Sequence, residues 1–292
     1  MADEKKSTSA SNKPKTTQRK VVSASPTTGA KTAQANKPVR GEGSKASPEA
    51  KKKAFMYRIF AGILWALAIG LEMFAIFYLL KRTEMNNFMV WLIGAIVVIG
   101  ILAIIGSQLW KKANHFDPAS EKDTVRFFVQ NQLGVIITII AFLPLIILIF
   151  MNDNMKGSQK AIAGTIGIIV MALTGLASVD WDPMSEEKMD EQDRVVWSYS
   201  QDGYVYWVDK GSVYHLCAYK DNNPQNGTRD AGENEIIAAF SRGDSDIKTG
   251  SLKEAHDAGK HRLSMYGLSE CDYTEDNPVF PNCAAGGMAG CQ

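Results

Sequence analysis

A histidine and a cysteine stand two positions apart in the C-terminal third of the chain, and both residue types bind metals. Side chains at alternate positions of a strand share a face, so His215 and Cys217 could begin a zinc site. A closed site needs four ligands, which would require Cys271 and either His256 or His261. The alternative is that Cys217 packs as a small apolar residue. Because the chain lacks any Cys-x-x-Cys spacing, we expect no cofactor, with zinc as the alternative.

Glu72 is the one ionisable residue deep within a long apolar run. A carboxylate at the middle of a transmembrane helix costs about 3 kcal/mol. Glu72 is therefore either a proton or cation site or a protonated acid that is hydrogen-bonded to a neighbouring helix. Thr165, at a comparable depth in another run, is a candidate partner. Few other polar residues mark a path through the runs, so the sequence favours the hydrogen-bonded acid.

Three lysines, Lys51, Lys52 and Lys53, directly precede the first apolar run. Each could gain about 1 kcal/mol from anionic lipid headgroups at a membrane surface. The alternative is that they belong to a solvated tail whose charge only fixes the topology. No aromatic residue is interleaved for stacking on bases, so there is no clear signal for nucleic-acid binding.

Four long apolar runs occupy the middle of the chain, at residues 57–80, 88–110, 127–151 and 160–178. At about 1.5 Å per residue, even the shortest run would reach about 28 Å as a helix, close to the hydrocarbon thickness of a bilayer. The sequence therefore predicts a membrane-embedded all-α four-helix bundle over residues 54–178 of a multi-pass protein of the cell membrane.

Charge divides the chain into three regions. Residues 1–53 carry 13 Lys and Arg against 4 Asp and Glu, residues 54–178 carry 9 against 6, and residues 179–292 carry 10 against 21. The basic tail at 1–53 is poor in apolar residues and is predicted to be disordered. Its charge places it in the cytoplasm, and four spans return the C-terminus to the same side. The cysteines are then expected to be reduced, whereas the opposite topology would suit disulfides.

The pattern changes after the fourth run. Residues 179–194 read as an acidic linker, residues 195–271 as a small soluble α+β domain, and residues 272–292 as a poorly ordered tail. Within the domain we predict a meander of strands at 195–200, 204–208 and 212–217, with helices at 234–240 and 252–258. Ser251 and Glu254 have the spacing of a helix capping box.

Two segments of this domain share the pattern of a known module. Val-Tyr-Trp at 205–207 is followed by Gly-Ser-Val-Tyr-His-Leu-Cys at 211–217, and later come Gly-x-x-x-Glu-Ala at 250–255 and Gly-Lys-x-Arg-Leu at 259–263. Together they resemble a small metal-ligating module of bacterial multi-span membrane proteins of unknown function, whose second half ends in Leu-Cys-x-x-Cys. Ser264 and Gly267 stand where those two cysteines would fall, so the resemblance implies a degenerate site.

Three classes of function fit these features. The sequence favours a membrane-anchored adaptor or accessory protein that presents a cytosolic domain to an unknown protein partner. The alternatives are a small transporter or channel that uses Glu72, and a metal-binding or metal-dependent enzyme domain built on His215 and Cys217. A nucleophile triad, phosphate loop or paired-carboxylate site is not evident, so catalytic residues are not assigned and an enzyme is the less favoured class.

Overall fold

The computed structural model describes residues 21–24, 38–200, 202–218, 240 and 246–271. Over these ranges the chain is mostly helical, with four long apolar helices and a smaller α+β unit. The predicted helix at 234–240, apart from Phe240, lies outside the described residues. The tail at 272–292, with its two cysteines, does so too.

The four predicted spans are all helices: α1 Pro48–Phe74, α2 Phe88–Phe116, α3 Thr124–Met151 and α4 Gly157–Ser178. By length and composition, each is able to cross a membrane. A π-helical turn, Ala75–Leu79, extends α1. In the bundle, α2 packs against each of the other three helices, and α3 packs against α4.

The predicted disordered tail ends earlier than expected. The Ser47 side chain accepts the Ala50 amide at 2.9 Å, and Pro48 takes the first helical position, where its missing N–H costs nothing. Helix α1 therefore begins nine residues before the apolar run at 57–80, and the three lysines at 51–53 are helical. Val21–Ser23 forms a strand, β1.

Small residues let the helices approach closely inside the bundle. A Cβ atom on Gly106 of α2 would lie 2.6 Å from Nε1 of Trp65 on α1, so a side chain at this position would push the two helices apart. Leu92, Ile99 and Phe142 are fully buried in the same core. Outside, all four helices expose large apolar side chains, including Phe60, Val90, Ile140 and Leu173.

The predicted strand at 195–200 is wrong, because the segment belongs to a helix, α5 Glu186–Tyr199. Ser185 caps this helix by accepting the amide of Lys188 at 3.0 Å. Met189 and Val196 are both buried, at the spacing that lines one face of a helix. The cap and this face outweigh the strand propensity of the Val-Val-Trp segment, and α5 replaces most of the predicted linker.

The predicted meander is also wrong, although two of its three strands exist as β2 Tyr204–Trp207 and β3 Val213–Tyr214. They meet only at the Tyr206–His215 bridge. Their main partners come later in the chain, as β4 Ile247–Ser251 and β5 Arg262–Leu263. Strand β4 lies between β1, which is parallel to it, and β2, which is antiparallel, while β3 and β5 form a parallel pair.

The second predicted helix of the domain is confirmed as α6, Leu252–Asp257. Its capping box forms as expected, with the Ser251 side chain accepting the Glu254 amide and the Glu254 side chain accepting the Ser251 amide. Gly259 ends the helix with a φ of +83°, a conformation that favours glycine. The next residue, Lys260, is buried, and its ammonium group donates to the carbonyl oxygens of Asp209 and Gly211.

Candidate functional site

The start of α1 is joined directly to the end of α6. The Ser47 hydroxyl donates to Oδ1 of Asp257 at 2.5 Å, and the Lys53 ammonium donates to the Asp257 backbone carbonyl at 2.6 Å. Burial raises the pKa of the Asp257 carboxyl, and the Ser47 hydrogen bond opposes this shift. The C-terminal domain, defined here as residues 186–271, is thus attached to one end of the bundle.

The end of α2 contributes the second contact. The rings of His115 and His261 lie 4.1 Å apart between centroids, edge to face. The Phe116 ring stacks on the Tyr57 ring of α1, with 5.9 Å between the ring centroids. A Cβ atom on Gly259 would contact the Phe116 ring, so the domain packs closely against that ring. We call this junction, formed by Ser47, Lys53, His115 and Phe116 on the bundle and by Asp257, Gly259 and His261 on the domain, the bundle–domain interface.

Residues 38–46 form a strap across the C-terminal domain. The Gly41 amide donates to Oδ2 of Asp193 in α5 at 2.7 Å. A Cβ on Gly43 would lie 2.7 Å from both Asp193 and Leu252, so the strap can approach this closely only with glycine at that position. Burial raises the pKa of Asp193, and the amides of Gly41 and Gly43 work against that rise.

Gln192 of α5 connects the buried His256 and the half-buried His261 beneath the strap. Its amide nitrogen donates to the backbone carbonyl of His261 at 2.9 Å, and its amide oxygen lies 3.1 Å from Nε2 of His256. Burial lowers the pKa of both histidines to about 4. Both rings are therefore neutral near pH 7.

The short connection between α2 and α3 also reaches the C-terminal domain. Glu187, in the first turn of α5, accepts the Ser120 hydroxyl at 2.5 Å and the Glu121 amide at 2.8 Å. These hydrogen bonds, the Ser120 one foremost, hold the pKa of Glu187 below its usual range. Three separate parts of the bundle side therefore hold the domain: the strap with α1, the end of α2, and this connection.

The predicted metal ligands come together in a different arrangement. Cys217 and Cys271 form a disulfide, with Cα atoms 5.8 Å apart, so the expectation of reduced cysteines is wrong for this pair. Nδ1 of His215 lies 2.9 Å from the Glu270 carboxylate, and burial lowers the pKa of its ring. Disulfide sulfurs offer no thiolate to a metal. In the described part of the chain, no three His, Cys, Asp or Glu side chains are placed to hold one.

Glu72 is fully buried between helices, and its candidate partner lies elsewhere. Thr165 is exposed on the outer face of α4. The carboxyl approaches the backbone of Leu145, one residue after the Pro144 of α3, yet neither oxygen forms a hydrogen bond to a described residue. Proline leaves the carbonyl four residues before it without its helical donor, so Glu72 lies near a part of α3 that lacks one backbone hydrogen bond.

A separate cluster of buried hydroxyl groups lies between Glu72 and the end of the bundle that carries the C-terminal domain. The Ser178 hydroxyl donates to Ser107 at 2.9 Å, and Thr138 lies 3.4 Å from Ser178. Thr138 itself donates to the Gly134 carbonyl. These hydroxyls satisfy one another across α2, α3 and α4, which is a packing role and requires no ligand.

Sequence reasoning missed the bundle–domain interface altogether. Lys53 lies on it, while Lys51 and Lys52 are exposed on the same helical turn. The glycines of the strap and the His-Phe pair at the end of α2 carry no motif that a single sequence would reveal. The one usable signal was Ser47-Pro48, the cap and first position of a helix that begins before the apolar run.

Comparison of this chain with protein-family models, with curated proteins and with solved structures finds no match. The resemblance to the metal-ligating module therefore stays a prediction.

Proposed function

We propose that this chain is an integral membrane protein whose four helices cross the cell membrane and hold the C-terminal domain at its cytoplasmic surface as an adaptor or accessory module. The bundle–domain interface is the observation that carries the proposal. Contacts such as Ser47 with Asp257 and His115 with His261 hold the domain to one end of the bundle. A tethered but loosely linked domain would need none of them.

The exterior of the bundle supports its membrane placement. Phe60, Val90, Ile140 and Leu173 leave large apolar surfaces exposed on all four helices. Contiguous apolar patches on this scale are rare on the surface of a soluble monomer, because each exposed group orders water at a free-energy cost. In a bilayer the same side chains contact acyl chains at no such cost.

Two observations about orientation point in opposite directions. The 13 basic residues of 1–53 favour the cytoplasm for that segment. The strap and the C-terminal domain are in contact, so both lie on that side. The Cys217–Cys271 disulfide favours an oxidising compartment instead. We give the tail charge more weight, because it determines orientation as the protein inserts, whereas a disulfide can form later.

The surface offered to a partner includes Met265 and Tyr266, which follow β5. Both side chains are exposed, at 89% and 64% respectively. Exposed aromatic and methionine side chains are enriched where proteins bind one another. The adjacent 3₁₀ turn, Ser269–Cys271, is anchored by the disulfide, so this loop is held by a rigid support.

A photo-crosslinking amino acid placed at Tyr266 in living cells tests the adaptor role. We expect one discrete adduct with another protein. The control position is Lys210, which is exposed on a turn at the opposite end of β3 from the loop. Equal adducts at both positions, or none at Tyr266, would remove the support for a partner at this surface.

Transport is a second candidate, and Glu72 is the observation that favours it. A fully buried carboxyl without a hydrogen-bond partner among the described residues could exchange a proton or a cation. Its test is proton or cation flux in liposomes that contain the full chain, compared with the Glu72→Gln variant. A flux that the variant abolishes would replace the adaptor by a transporter.

A further inference from the structure

A cavity of about 710 Å³ opens at the bundle–domain interface. Lys53 and Tyr57 of α1 and Lys112 of α2 line it on the bundle side, and Asp257 and His261 line it on the domain side. Its size is that of a small-ligand pocket. The cavity lies at the end of the bundle that carries the C-terminal domain, where the apolar parts of α1 and α2 stop. In the proposed membrane placement, this is the depth of the lipid headgroups.

Three carboxylates line the cavity, and each already has a partner within the protein. Their pairs are Asp180 with His115 at 3.3 Å, Asp209 with Lys248 at 2.5 Å, and Asp257 with Ser47 at 2.5 Å. These carboxylates are therefore committed to internal contacts, and the Lys248 ammonium group offsets the charge of Asp209 before any ligand arrives.

Of the three lysines that line the cavity, Lys111 donates to two backbone carbonyls, and the other two are less engaged. The Lys112 ammonium lies 4.8 Å from the centroid of the Tyr57 ring and has no hydrogen-bond or ion-pair partner among the residues described. Lys53 donates to a neutral carbonyl and lies 5.8 Å from the centre of the Phe116 ring. The neutral ring leaves the charge of Lys112 uncompensated, and the nearby Asp257 carboxylate offsets the charge of Lys53 only in part, so the two lysines can bind an anion.

Apolar surface continues from the cavity along α2. Gln108 lines the cavity one turn before Lys112, and Ile105 and Ile101 follow on the same side of the helix toward the middle of the bundle. The two isoleucines are 45% and 51% exposed. An acyl chain could lie along this face while a headgroup occupies the cavity, and a free phosphate ion would make no use of it.

We infer that the cavity binds the phosphate group of a membrane phospholipid, which Lys53 and Lys112 hold while an acyl chain lies along Ile105 and Ile101. This inference rests on the proposed membrane placement. It is independent of any protein partner. The sequence predicted that all three lysines at 51–53 contact anionic lipid. The inference assigns this contact to Lys53 alone, because Lys51 and Lys52 do not line the cavity.

Lipid titration of the full chain, purified in a neutral detergent, tests the site by native mass spectrometry. The probes are short-chain phosphatidylglycerol, phosphatidylcholine of the same length, and sn-glycerol 3-phosphate. The test variant is the pair Lys53→Gln and Lys112→Gln. The matched control is the pair Lys51→Gln and Lys52→Gln, which removes the same charge from the same region without touching the cavity.

We expect the test variant to weaken phosphatidylglycerol binding about 25-fold, because each lysine near an anionic surface contributes roughly a factor of five. The control variant should stay within about twofold of the original chain on the same scale. Equal weakening by both pairs would show non-specific surface attraction and overturn the site. Glycerol phosphate bound as tightly as the lipid would overturn the lipid as its occupant. Recovery of the chain in the soluble cell fraction would instead overturn the membrane placement itself.

Discussion

The hydroxyl of Ser47 lies 2.5 Å from the carboxylate of Asp257, although 210 positions separate the two residues. The same hydroxyl oxygen accepts the Ala50 amide and so caps α1. A single side chain therefore takes part both in starting the first helix and in docking the C-terminal domain. This coupling is what makes the domain part of the bundle instead of a separate appendage.

Replacing Ser47 with alanine should loosen both elements. We expect a loss of about 1–2 kcal/mol from the cap, and faster hydrogen exchange in α6 because the Asp257 contact is lost as well. The control is Ser44→Ala, since the Ser44 hydroxyl only donates to the nearby Gly41 carbonyl on the surface. If exchange in α6 is the same for both variants, Ser47 does not hold the domain.

The buried His256 should make the C-terminal domain sensitive to acid. Burial lowers its folded-state pKa to about 4, below the usual value of 6.5. A depressed pKa contributes stability that is fully present above pH 6.5 and is lost as the pH falls toward 4. The loss should approach about 3 kcal/mol for this group at pH 4.

Thermal unfolding of the full chain in detergent between pH 7 and pH 4 measures this dependence, with His256→Gln as the comparison. The variant should be less stable at pH 7 but should lose less stability on acidification. Asp193 acts in the opposite sense, because its raised pKa adds stability as the pH falls. Parallel curves for the two chains would show that His256 does not titrate in this range.

How far the sequence could predict this molecule depends on the range of the interactions. The four long apolar helices follow from composition, because an apolar run of sufficient length has few alternatives. Capping pairs such as Ser251 with Glu254 are local, so they can be predicted from the sequence equally well. In contrast, the choice between helix and strand at 195–200 depended on Met189 and Val196 finding a buried surface, which is a tertiary fact.

The candidate site was hidden for a related reason. It joins the start of α1, the end of α2 and residues near 257–261. No local sequence pattern predicts that these segments meet. Glycine at position 43 and the buried Lys260 are understandable only once the strap and the 209–211 turn are in place. Thr165 shows the converse: its predicted depth matched that of Glu72, yet its side chain is exposed on the outside of α4 while Glu72 is buried between helices.

Glu72 should tolerate a neutral replacement. We expect Glu72→Gln to keep the fold, since a neutral amide of nearly the same shape costs no more to bury than the carboxyl group, and Glu72→Leu to leave expression unchanged or improved. Fluorescence-detected size-exclusion chromatography of tagged chains reports both. Aggregation of the Glu72→Leu protein, with Glu72→Gln intact, would mean that a polar group at this position is needed for folding.

Metal should not stabilise the C-terminal domain, whereas the disulfide should. In full chain purified in air, we expect no stoichiometric zinc and a melting temperature that EDTA leaves unchanged. Reduction should cost about 4 kcal/mol, because the bond closes a loop over a sequence separation of 54. Unfolding by EDTA that added zinc reverses would show instead that His215 belongs to a metal site.

The central claim is that four helices cross the membrane and leave both the tail and the C-terminal domain in the cytoplasm. Fusions of green fluorescent protein and of alkaline phosphatase to each terminus, and of phosphatase within the connection between α1 and α2, measure it directly. We predict fluorescence and inactive phosphatase at both termini, and active phosphatase in the connection. Active phosphatase at either terminus would contradict the orientation and would place the Cys217–Cys271 disulfide in the oxidising compartment.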